Sequence, residues 1–187
     1  MTNALLYAHI LSLLILIMNA GAVHLSEVKA ATAGTVAEAR SALRTAVALG
    51  PVFGIGSLLL VVTGLSLAHA GDNDFDYGSS WIVSAFIALV IINAHGAGRL
   101  GPRAKRLADQ LAGDGPLSTE QRALTHDKQL SVGGWFNTAV AMGIVLLMVA
   151  KPAVLGCVIT LVVAAVVGLL IGLAQYSLTG RERAVTA

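Results

Sequence analysis

Residues 153–176 read AVLGCVITLVVAAVVGLLIGLAQY, and no acidic or basic side chain stands between Pro152 and Gln175. A helix of about 20 apolar residues rises about 30 Å, the thickness of the hydrocarbon core of a bilayer. Working outward, the stretches 4–23, 50–70, 80–100 and 130–150 have the same character. Composition agrees: 56% hydrophobic and 12% charged over 187 residues is too little charged surface for a soluble domain. The chain reads as all-α, a single integral membrane bundle of about five transmembrane helices, with the lipid bilayer as its first partner. The first stretch has no Lys or Arg ahead of its apolar run and is long enough to span, so it reads as a retained helix rather than a secretory leader.

The loops give direction. Lys29, Arg40 and Arg44 lie in loop 24–49; Arg103, Lys105, Arg106, Arg122 and Lys128 lie in loop 101–129, just after Arg99; Arg181 and Arg183 lie in the tail. The loop GDNDFDYGSS (71–80) has three aspartates and no base. Basic loops stay on the cytoplasmic side. The N-terminus is then outside and the C-terminus cytoplasmic, in a bacterial cytoplasmic (inner) membrane. A formal charge of +2, scattered over the chain, argues for no nucleic-acid partner.

Residues 28–48 read as a short surface helix. RAKRLADQLAG (103–113) reads as an amphipathic one with Leu107 and Leu111 on its apolar side, and Ser118 as the N-cap of the next. Lys151-Pro152 is a tight turn, so spans four and five are antiparallel neighbours. Gly168 and Gly172 form a small-residue step on span five, suited to packing within the chain or to a homo-oligomer or larger membrane complex. Cys157, the one cysteine, reads as a small packing residue.

The main chemical signal is histidine. Four of the five histidines sit within or at the ends of the first three spans, where polar groups are expensive and need partners. At about 1.5 Å of rise per residue, His9 lies ~7 Å and His69 ~13 Å outside the midplane, and His95 ~7 Å and His24 ~16 Å inside it. That sorts them into an outer pair, His9 and His69, and an inner pair, His24 and His95. A b-type haem in a bundle takes one imidazole on each face of the porphyrin, from facing helices at similar depth. His9 and His69 are the first candidates for axial ligands to haem iron, and His24 and His95 the second. Plainer readings stand beside these: His24 as an interfacial residue, His69 solvated at a helix end, His9 and His95 hydrogen-bonded to neighbouring helices, His126 on the surface. Ser12 and Asn19 share a stripe with His9, Ser84 shares a face with His95, and Asn137 stands alone behind Trp135 and Phe136. These four are candidates for lining a cofactor site or a small cavity. Met18 and Met142 are mid-membrane thioethers, soft enough for Cu(I) or simply packing. No CxxC, HExxH, phosphate loop or nucleophile elbow is present.

Three stretches carry a resemblance. LLYAHILSLLILIMNAG, SSWIVSAFIALVIINAHGAGRLGPRAKRL and GWFNTAVAMGIVLLMVAKP resemble the first, third and last spans of the HemJ-type protoporphyrinogen oxidases, over about residues 4–152. The broad pattern is shared with CopD-type copper-resistance membrane proteins. The resemblance implies b-type haem, with His9 at the position of the family's first-span histidine. Ala85 stands where the family has a lysine, Thr138 where it has a glutamate, and the fifth span is additional. The function expected is electron transfer or a redox step on a quinone-like or tetrapyrrole substrate by a membrane b-type haem protein. The alternative is a non-enzymatic permease, a copper-handling module, or an accessory or structural subunit.

Overall fold

The computed structural model describes residues 2–70 and 77–186; Asp72, Asp74 and Asp76 lie outside the described residues. The helices are α1 (Thr2–Thr32), α2 (Val36–Ala70), α3 (Ser80–His95), α4 (Gly101–Gln110), α5 (Thr119–Thr125), α6 (Lys128–Ala150) and α7 (Val154–Thr186). Among the described residues, five helical stretches are long and apolar enough to cross a membrane. The third of these is α3 and α4 joined through Gly96–Leu100, a π-helical turn in which the Gly101 N–H reaches back to the Gly96 carbonyl.

The helices run past the apolar stretches. Residues 28–48 form no separate surface helix: they are the end of α1, a turn at Ala33-Gly34-Thr35, and the start of α2. This Ala-rich segment extends its neighbours because adding turns to a helix costs less than nucleating a new one. Thr35 and Glu38 cap the start of α2 reciprocally, the carboxylate accepting the Gly34 and Thr35 N–H groups and the Thr35 hydroxyl accepting that of Glu38. Ser118 and Gln121 make the same box for α5. At the other end of the bundle, Lys151 adopts a left-handed conformation (φ 47°) and closes α6 with an N–H bond to Leu147.

Packing divides the bundle into two lobes. α1 packs along α2, and α6 along α7 with α3 against α6, whereas contact between the two groups is sparse at membrane depth. At the basic end the lobes are tied by an apolar core that includes Ala30, Ala39, Leu43, Leu107, Leu111 and Leu130. Arg40 braces it, donating to the carbonyls of Leu111 and Gly113. A second core, with Ala85, Ile92, Val140, Leu147 and the buried Cys157, fills the α3–α6–α7 lobe.

Lipid removes most of the hydrophobic drive between helices, so close backbone approach has to hold them. Gly168 and Gly172 provide it. A Cβ on Gly168 would sit 2.6 Å from the Trp135 carbonyl, and one on Gly172 2.6 Å from the Val132 Cα. The glycine step is therefore used inside the chain against α6, and is not left for a homo-oligomer or a larger complex. Met18 and Met142 are 74% and 50% exposed on α1 and α6, facing outward as lipid-side packing does.

Candidate functional site

Six consecutive residues of α6, GGWFNT (133–138), receive two histidines from two other helices. A Cβ on Gly134 would lie 3.0 Å from His24 Cε1, and one on Gly133 3.1 Å from His95 Cε1. Gly134 leaves room for the His24 ring, and Gly133 for the His95 ring and, closer still at 2.7 Å, Leu100 Cδ2. His24, from α1, stacks on Trp135 with ring centroids 4.3 Å apart and planes 13° off parallel. Its Nε2 is 2.9 Å from the Thr138 hydroxyl and its Nδ1 3.4 Å from Glu27 Oε2. His95, from the end of α3, meets Phe136 edge-on. Its Nδ1 is 2.9 Å from Asn137 Oδ1, while the Asn137 amide donates to the Ile92 carbonyl.

The two environments differ chemically. Asn137 Oδ1 can only accept, so His95 carries its proton on Nδ1 and its lone pair on Nε2. Thr138 can donate or accept. His24 therefore keeps both hydrogen bonds as a neutral ring, accepting from Thr138 and donating to Glu27, and as an imidazolium donating to both. Glu27, one turn beyond His24, has a side chain only 8% exposed and pairs with the His24 ring. Across from it, Trp135 Nε1 donates to Gln175 Oε1 on α7. Three transmembrane helices of the two lobes thus meet at one hydrogen-bonded centre.

Beside this centre lies a cavity of about 20 Å³, lined among others by Glu27, Asp127, Ser131, Gln175, His126 and Thr179. Asp127 caps α6 through the Leu130 N–H and holds Arg103 Nε at 2.9 and 2.8 Å from its two oxygens. His126, expected on the surface, is half-buried instead: it stacks on Tyr176 at 4.0 Å and donates from Nε2 to the Tyr176 carbonyl at 2.8 Å.

The outer residues are arranged otherwise. The Thr63 hydroxyl proton goes to the Leu59 carbonyl at 2.6 Å, so His9 Nδ1, 3.0 Å from Thr63 Oγ1, is the donor and Nε2 carries the lone pair. The His9 ring rests on Gly64. His69 is exposed, five residues beyond Gly64 and so about 140° round α2 and ~7.5 Å further along it. Ser12 and Asn19 are buried; Ser12 bonds the Ala8 carbonyl, Asn19 the Leu49 carbonyl. Ser84 is half-buried on α3 and belongs to neither histidine centre. Asn137 does not stand alone, being the partner of His95.

This geometry does not fit a porphyrin held between two imidazoles. His24 and His95 share a level on α6, but they meet consecutive positions about 100° apart round it, and both His24 nitrogens and His95 Nδ1 are engaged by side chains. His9, on α1, rests against Gly64, whereas His69 stands about 140° further round α2. Among the described residues, no three His, Cys, Asp or Glu side chains gather as metal ligands. Glu27, Gly133, Gly134, Thr138 and Gln175 are the residues that sequence reasoning missed. The signals were the i, i+3 spacing of His24 and Glu27 and the paired glycines ahead of Trp135.

Five apolar crossings and polar groups that find their partners within the bundle define a multi-pass helical membrane protein. The chain belongs to the DUF2269 family of predicted integral membrane proteins, whose model matches residues 3–152. The match takes in α1 to α6; α7, with Gln175 and Tyr176, follows it. No curated protein and no solved structure matches the chain.

Proposed function

We propose that the chain is a proton-exchanging module of the bacterial cytoplasmic membrane, of the permease or accessory type, with His24 and Glu27 as its proton site. One observation carries this reading: a carboxylate and an imidazole, paired inside the bundle, join α1 of one lobe to α6 of the other beside the apolar core that ties the lobes. Ionisable pairs within transmembrane helices, facing the bundle interior, are the usual material of proton relays, and this pair lies on α1 just past its apolar stretch. A proton gained or lost by the His24–Glu27 pair changes the charge of the α1 contact with α6, and so biases how the lobes sit together.

The test is Trp135 emission, followed in a Trp81→Phe background as pH is lowered. An indole stacked on the His24 ring senses a change of charge in the pair that the ring makes with Glu27. Emission that falls on acidification, and does so differently in Glu27→Gln, supports the reading; identical curves refute it.

A redox role keeps one supporting observation, the fixed tautomer of His9, which directs a lone pair from Nε2 as an axial ligand requires. That is also what the likeness to HemJ-type and CopD-type proteins favours. His9 would hold haem b from one face only, and the haem would supply one-electron chemistry toward a quinone-like or tetrapyrrole substrate. A reduced-minus-oxidised spectrum of haem-replete protein decides it: a b-type signal lost in His9→Ala favours haem, and a featureless spectrum ends the redox reading.

A further inference from the structure

We propose that the cavity beside Glu27 binds one water molecule, and that this water is the route by which protons reach the His24–Glu27 pair from the side of the basic loops. The inference rests on the proton-site reading and adds to it a ligand and a path. A cavity of about 20 Å³ has room for one water. Its wall offers complementary partners. Gln175 uses Oε1 on Trp135, which leaves its amide hydrogens to donate. Ser131 gives its hydroxyl proton to the Gly172 carbonyl, which leaves its oxygen to accept. Glu27 provides a second acceptor.

Charge decides against a metal cation. The ionisable groups around the cavity are Glu27, His24, Asp127 with its partner Arg103, His126 and Tyr176. Asp127 is balanced by the Arg103 guanidinium. Glu27 is balanced whenever His24 is charged. A neutral donor–acceptor molecule suits that balance. In the transfer step a proton arriving on the water makes it hydronium. An O–H bond of the hydronium breaks as one forms to a Glu27 oxygen, and water is regenerated. The stacked His126–Tyr176 pair lies on the α7 side of the cavity, and Asp127 links it to the loop that precedes α6.

The test is stopped-flow acidification of the full chain in detergent, read by Trp135 emission in the Trp81→Phe background. Ala31→Val adds bulk to the cavity wall, and Ser131→Ala removes one acceptor. Both should reach the same final emission as the parent while slowing by about tenfold, the rate equivalent of one lost hydrogen bond. Either variant responding at the parent rate overturns the water route while leaving the proton site standing. A parent that shows no emission change overturns the proton site, and the water route with it. Should Ala31→Val fail to fold, Ser131→Ala decides alone.

Discussion

The Thr138 hydroxyl gives His24 its versatility. A hydroxyl reverses its role when the ring changes charge; an amide oxygen such as Asn137 Oδ1 does not. Thr138→Val should therefore leave His24 Nε2 without a partner and make the pH response of Trp135 steeper or displaced, while Asn137→Asp, on the other face, should leave that response unchanged. Emission titrations of the two variants side by side check this. Gly134→Ala places a Cβ 3.0 Å from the His24 ring and 3.2 Å from Glu27 Oε2, so the stack must open. The expected cost is about 1–3 kcal/mol, as for other overpacked sites, with loss of the Trp135 pH response; thermal unfolding and emission measure the two. Counting residues along each span grouped His24 with His95 but put them about 9 Å apart in depth, whereas they meet adjacent residues of α6. Their partners were not legible, because a count gives a rough level but not azimuth. That is why Asn137 looked isolated, and why His24 and His95 looked able to face one another.

On the scale of helices, α7 depends on its glycines. Gly168→Ala forces a methyl onto the α6 backbone, which cannot yield as a side chain would. It should lower stability by about 1–3 kcal/mol without altering the oligomeric state, as thermal unfolding and light scattering in detergent would show. A change of oligomeric state would mean that the step faces another chain after all. The small-residue step was visible in the sequence, but its partner was not, since both kinds of helix contact use the same pattern. The capping residue Ser118 and the inward Leu107 and Leu111 were legible because local hydrogen bonding and helical periodicity suffice to place them. The Ala-rich stretch 28–48 was misread as a separate element because nothing in its composition marks where a span leaves the membrane and its helix continues.

The whole molecule pairs two lobes that share an apolar core at the basic end and a polar junction at the His24 centre. Five crossings were legible from hydropathy alone, whereas the division into lobes follows from which faces meet, which no single helix reveals. Direction across the membrane rests on the basic loops. In a Cys157→Ser background, a cysteine at Gly115 should react with an impermeant maleimide only in inverted vesicles; labelling in right-side-out vesicles would reverse the orientation. Spin labels at Leu58 on α2 and Leu170 on α7, both exposed, should shift in separation between pH 8 and pH 5, and should not shift in Glu27→Gln. The most direct measurement is an infrared difference spectrum of the reconstituted protein between the same two pH values. A protonated-carboxyl band that appears on acidification and vanishes in Glu27→Gln is predicted. A spectrum that Glu27→Gln leaves unchanged would contradict a proton site at His24 and Glu27.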